Sequence, residues 1–274
     1  AFPYRKLLEQ AEGLKSYSVN FATMNTIARR MVALFYPLFS EQAGFHFPYR
    51  PPQFLTLETA QFYLGKLIDP MLDRGAFSSV SIPRHRLYSQ VLDNLNKSAV
   101  VGFPYTEIGT KLSAAWVGES SQLNVYADLQ VAVNAFRSFC LENNLLDFSL
   151  QVQLFREFVW QDPLCQRYLI SQFAHLIYDN CEEDPPYVHD VLIEWLQSFK
   201  SALIVYDEHA GYRVFLGADP HSAWRLHDQA QHTRELTQSF TASSEVSLLR
   251  NYLVSPEKSA PFQPLNYATL TKVL

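Results

Sequence analysis

Glycine is scarce in this chain, nine residues in 274. A loop that cradles phosphate needs several glycines close together, and neither GxxxxGK[ST] nor GxGxxG occurs. Cysteine is scarcer still. Cys140, Cys165 and Cys181 are far apart and odd in number, so they form neither a disulfide framework nor a zinc site. They suit a reducing compartment, and a cytoplasmic location is expected. Long apolar runs are missing. The longest, Met31 to Phe39, is short and contains Pro37, so no membrane-spanning helix is expected. No charged-then-apolar signal opens the chain. It begins at Ala1 without an initiator Met, and is expected to be part of something longer. Excess positive charge is missing too: 22 basic residues face 27 acidic ones, for a net charge of −5. That argues against a surface coated for nonspecific nucleic-acid binding, though not against a local basic groove.

What is present is globular. The chain is 48% hydrophobic and 18% charged, with 20 Phe, 15 Tyr and 4 Trp, so much of the core should be aromatic. Lys6 to Lys15 reads as a short helix, and Ser18 to Thr23 (SVNFAT) as a strand rich in β-formers. Asn25 or Thr26 can cap the next helix, which Pro37 should end. Residues 40–55 read as loop. Helical spacing then dominates: Leu57, Ala60, Leu64, Leu67 and Met71; Arg84 to Asn96; and most clearly Val125, Leu129, Ala132, Phe136 and Cys140. No convincing strand is expected between 55 and 165. The period changes at Ala174 to Tyr178 (AHLIY) and again at Ala202 to Tyr206 (ALIVY), two short apolar runs with the look of buried parallel strands. Between them Asp184 and Pro185 should start a helix with Val188, Val191 or Leu192, Trp195 and Phe199 on its core face. The expected fold is α/β: residues 1–54 and 166–274 form an α/β part, interrupted by an all-helical insertion over 55–165.

Both expected strands end in acids, Tyr178-Asp179-Asn180 and Tyr206-Asp207-Glu208. Ligands of open parallel sheets bind beyond the carboxyl ends of the strands, and carboxylates there can hold Mg²⁺. Glu182, Glu183 and Asp184 add charge. Their ordinary role would be to cap a helix and favour its positive end. Arg84, His85 and Arg86, with Lys97 later, form the one dense basic patch of the helical middle, or simply a solvated face. His221, His227 and His232 near Asp228 are not spaced for one helix face.

His175 to Asp184 (HLIYDNCEED) resembles the Walker B segment of UvrD/Rep-type superfamily-one helicases, hhIlVDEfQDT. Ala202 to Asp219 (ALIVYDEHAGYRVFLGAD) is similar to the family's next motif, vVGDdDQsIYrFRGAd. Asn144 to Leu150 (NLLDFSL) is similar to the segment preceding Walker B. Val19 to Arg30 resembles the T-x-H-S motif that touches single-stranded DNA, and Leu236 to Ala242 stands where L-x-x-N-Y-R-S belongs. The resemblance implies a partial RecA-like parallel sheet carrying a large helical insertion. It implies Asp179 as the Mg²⁺ ligand, Asn180 and Glu182 at catalytic positions, and Asp207 and Thr241 facing ATP. Thr23, Asn25, Thr26 and Tyr212 would meet single-stranded DNA, with Arg84 and Arg86 able to add phosphate contacts.

The departures weaken catalysis. The Walker A loop is absent, so ATP and Mg²⁺ are expected only if an upstream segment supplies it. The water-polarising Glu is Asn180, the following Gln is Glu182, the next motif's Gln falls on His209 or Ala210, and the γ-phosphate Arg is Thr241. Phosphoryl transfer depends on such charges. The expected function is a helicase-like part that associates with single-stranded DNA in repair or recombination, does not hydrolyse ATP as this chain, and partners a second RecA-like domain or another protein, with no membrane. Two alternatives stand beside it: a non-catalytic interaction or architectural module, and a metal-dependent phosphohydrolase using Asp179 and Asp207. The helicase reading requires residues 18–23 to pair in one layer with 174–178 and 202–206.

Overall fold

The computed structural model describes residues 19–208, 210, 212–236 and 243–254. The chain divides into a unit ending at Gln229 and a second over 230–274, whose described residues include helix Ser244–Val254. The first unit is mostly helical, with two small parallel sheets.

The helix read at Lys6 to Lys15 lies outside the described residues; Thr23, not Asn25 or Thr26, caps the first described helix, α1 (Met24–Phe39), its hydroxyl accepting from Thr26 N at 3.2 Å. Pro37 lies inside that helix rather than ending it. Residues 19–23, read as a strand, form none and pair with neither parallel run. They lead straight into α1, and α1 packs on the helical body, so the β-forming side chains have no ladder to join. A second correction concerns strands. Gln53–Phe54 (β1) pairs in parallel with Leu145–Leu146 (β2), inside stretches read as loop and as purely helical.

The body comprises α2 (Leu57–Asp73), α3 (Arg84–Val101), α4 (Ile108–Ala115), α5 (Ser121–Glu142) and α6 (Phe148–Leu154), which runs on into a π turn, Phe155–Val159, and then α7 (Pro163–Gln172). α1 packs on α6, its π turn and α7, and α3 lies against α2, α5 and α6. Each fully buried Leu64, Ile68, Phe136 or Phe155 contributes about 1.5–3 kcal/mol of apolar burial. Aromatic edges join the parts: Phe39 stacks on Phe158 at 5.5 Å, and Trp160 meets Trp195 at 6.1 Å.

β3 (His175–Tyr178) and β4 (Ser201–Ile204) form the second sheet, parallel and in register from His175↔Ser201 to Tyr178↔Ile204. Helix α8 (Pro186–Trp195) links them, buried through Val188, Val191, Leu192 and Trp195, as its spacing predicts. Its start is Pro185, not an Asp184 cap. A short helix α9 (Pro220–Trp224) follows, capped by Asp219. Among the described residues no helix is long and apolar enough to cross a membrane.

At the centre of the body lies a buried ion pair. Arg137 and Asp147 are 2% and 3% exposed, with Nη1 to Oδ1 at 3.0 Å. Asp147 also caps α6, accepting from Leu150 N and Ser149 N, and Arg137 Nη2 donates to Ser149 Oγ at 2.8 Å. Removing one partner leaves a buried charge without its counter-ion. Asp147→Ala should therefore destabilise by about 3–5 kcal/mol, read as a lowered urea midpoint, with much of the loss recovered in the double variant Arg137→Met/Asp147→Leu.

Candidate functional site

The carboxyl ends of β3 and β4 gather the acids that the sequence singles out. The ladder continues past the strands: Val205 N donates to Tyr178 O at 2.8 Å and Cys181 N to Val205 O at 3.3 Å. This brings Asp179 and Asp207 to the same end of one sheet. Asp179 is exposed, and its Oδ1 accepts from Asn180 N at 3.1 Å. Asn180 is exposed in the left-handed region, φ 55°, where its short polar side chain is tolerated. The turn it makes sends the chain inward, so that Cys181 and Glu182 are both 1% exposed.

Glu182 is the first departure from a catalytic arrangement. Its carboxylate accepts from Asp207 N at 3.2 Å, tying the exit of β4 to the exit of β3. Burial pushes its pKa above the usual carboxylate range. Asp184 accepts from Tyr178 Oη at 2.8 Å and is likewise raised by burial. Glu183 pairs with Arg213 Nε at 3.2 Å. Three of the clustered acids therefore serve as local fastenings.

His189, which the sequence analysis passed over, completes the knot. It is fully buried on α8; Nε2–H donates to Cys181 O at 2.8 Å, and Nδ1 hydrogen-bonds with Ser222 Oγ of α9. A neutral ring serves both contacts when the Ser222 hydroxyl, which also lies 3.0 Å from Asp219 O, turns its one proton to Nδ1. Burial lowers its pKa below the ordinary 6.5. The signal for it was available: His189 stands between Val188 and Val191 on the apolar face of α8. Arg137 was also legible, within the stripe Val133, Phe136 and Cys140 of α5.

The expected nucleic-acid contacts are dispersed. Thr23 and Thr26 bond to each other, Oγ1 to Oγ1 at 3.0 Å. Asn25 Oδ1 accepts from Tyr187 Oη, and its carbonyl accepts from Gln151 at 3.2 Å, which fastens α1 to α8 and α6. Arg84 lies between Asp69 and Asp73, at 3.0 and 3.1 Å, so its charge is matched. Arg86 is exposed. Tyr212 opens a short turn, Tyr212–Leu216, and its side chain lies outside the described residues, as do His209 and Thr241. Among the described residues no group of three or more His, Cys, Asp or Glu is arranged to hold a metal ion. All three cysteines are buried and free, and burial pushes the Cys181 thiol up to about 12. No family model matches the chain, and no curated protein matches it.

Two outcomes follow from the buried groups. A carboxyl whose folded pKa is raised contributes stability below the ordinary value near 4.5 and loses it as pH rises through the folded value. Glu182→Gln, which keeps an acceptor oxygen for Asp207 N, should therefore match or exceed the parent's melting temperature at neutral pH, with the gap closing in acid. Glu182→Ala orphans that N–H and should cost about 1–3 kcal/mol. A clear loss in Glu182→Gln at neutral pH would mean that the charge itself is needed. For His189 the sign is opposite: its contribution is complete above pH 6.5 and is lost as pH falls from there towards its lowered folded pKa. The part of the acid-side decline due to this ring should vanish in His189→Gln; an unchanged slope in a pH series of melting curves refutes the assignment.

Proposed function

We propose that the chain is a non-catalytic interaction module, working as the docking part of a larger assembly. The observation that carries this reading is the face of the β3–β4 pair that the described residues leave uncovered. Parallel sheets normally have both faces covered. Here Leu176, Tyr178, Ile204 and Tyr206 pack against the core, while Ile177, Leu203 and Val205 are 77%, 56% and 42% exposed. Strand parity puts these three on one face. A contiguous aliphatic face of this kind suits a partner protein with aliphatic side chains there and basic ones opposite Asp179 and Glu208, both exposed.

The polar end supports the absence of catalysis. Mg-ATP does not fit the donors present. Glu182 is buried against a backbone N–H, Asn180 is an amide, and Arg213 is paired with Glu183. With residues 19–23 outside any sheet, the pairing that a UvrD/Rep-type reading requires is missing, and the docking reading rests on the β3–α8–β4 unit alone. The reading therefore favours docking over direct DNA contact: Asn25 and Arg84 are engaged within the fold.

The test has two parts. Ile177→Lys and Leu203→Lys should each change the stability of the chain by less than about 0.5 kcal/mol, as exposed substitutions do, whereas Leu176→Lys should unfold it. Fluorescent ATP analogues with Mg²⁺ should show no saturable binding, and single-stranded DNA no salt-dependent anisotropy rise. Destabilisation by Ile177→Lys means that the chain covers the face itself. Saturable nucleotide or DNA binding restores the catalytic or DNA-contact reading.

A further inference from the structure

Among the described residues β4 has a hydrogen-bonded neighbour on one side, β3, and none on the other. Val205 turns both of its backbone groups to that neighbour: its N–H donates to Tyr178 O at 2.8 Å and its carbonyl accepts from Cys181 N at 3.3 Å. Backbone groups alternate in direction along a strand, so Ala202, Ile204 and Tyr206 aim theirs away from β3. Side chains leave this edge open as well. Ser201, Ala202 and Leu203 are all exposed, although Ala202 shares the core-facing side of the alternation with Ile204.

An open edge is a template for another strand, and native chains guard it with charge, proline or a bulge. Ser201 to Tyr206 (SALIVY) contains no charged residue, no proline and no glycine. The charges stand at the two ends of the run, Lys200 before it and Asp207 and Glu208 after it. Lys200 and Glu208 are exposed, and neither is in an ion pair among the described residues. A strand with opposite charges at its two ends is complementary to an antiparallel copy of itself.

We propose that two copies of this chain join through their β4 edges, antiparallel about a two-fold axis at Ile204. Outward-pointing residues must meet outward-pointing residues, which restricts the register. Ile204 then faces the partner's Ile204 and Ala202 faces the partner's Tyr206, pairs that exchange both backbone bonds. The same register sets Leu203 against the partner's Val205 and brings Lys200 to the partner's Glu208, at both ends by symmetry. A shift of two residues either way would set Lys200 against the partner's Tyr206 or the partner's Ala210 and lose the match of charge. The product is a four-stranded sheet with Ile177, Leu203 and Val205 of both copies on one continuous face. The dimer enlarges the docking face without covering it, and the edge pairing does not depend on the docking reading.

Sedimentation of the full chain should show a monomer–dimer equilibrium, and the amides of Ala202, Ile204 and Tyr206 should exchange more slowly as concentration rises. Lys200→Glu and Glu208→Lys should each weaken the dimer about tenfold, because each sets like charges opposite one another at both ends. Lys200→Glu/Glu208→Lys in one chain should restore it, and recovery by a second exposed substitution cannot come from misfolding. A mixture of Leu203→Cys and Val205→Cys should oxidise to a disulfide-linked dimer while neither variant does so alone; the chain's own three cysteines are buried. Ile177→Lys, on β3, should leave the dimer intact whatever it does to docking. A chain that stays monomeric at every concentration, or a double variant that dimerises no better than the single ones, overturns the proposal and leaves the edge to a strand of another protein.

Discussion

The pair formed by Arg137 and Asp147 governs most of the first unit. A guanidinium withdrawn from water must find a counter-charge and acceptors, and Asp147 supplies both while capping α6. Because α6 starts at that residue, the position of the π turn follows from it. The same cap sits directly after β2, whose two residues pair with β1. One buried charge therefore links a helix start and a strand pair. Ser149 completes the set by accepting from Arg137 and bonding to Asp147 in turn.

The β3–α8–β4 unit follows the same logic with weaker charges. The left-handed turn at Asn180 sends Glu182 and Asp184 inward, His189 is buried on the core face of α8, and each finds a partner within the fold. An acidic run after a strand has two physical outcomes. Facing solvent, its carboxylates gather cations; turned inward, they accept from backbone N–H and hydroxyl groups and set how neighbouring elements meet. Here the second outcome takes Glu182 and Asp184, while Asp179 stays in water. The polar end is thus fastened from within, while Ile177, Leu203 and Val205 beside it stay exposed.

Elements with a clear period were legible from residues alone. The stripe of α5 and the core face of α8 appear as spacing predicts, and β3 and β4 form near the two apolar runs. The strand read into 18–23 shows the limit of propensity. Val19 and Phe21 favour a pleated surface, but Thr23 satisfies the first turn of α1 and no ladder is within reach. β1 and β2 escaped notice for the opposite reason: two residues carry no period. The basic patch gave no sign that Asp69 and Asp73, on a different helix, lie against Arg84.

Composition and periodicity by themselves determined a helical body with an aromatic core, the α8 core face and the two parallel runs ending in acid, because hydrophobic spacing is a local property of the chain; that one face of those runs stays exposed was not legible there. Only tertiary structure decided what each polar residue does. Whether Glu182 meets water or Asp207 N, whether Arg84 is free or matched, and whether Arg137 is buried against Asp147 all depend on groups that approach from other elements. A side chain's chemistry is set by the neighbours that replace its water, and distance along the sequence does not encode them.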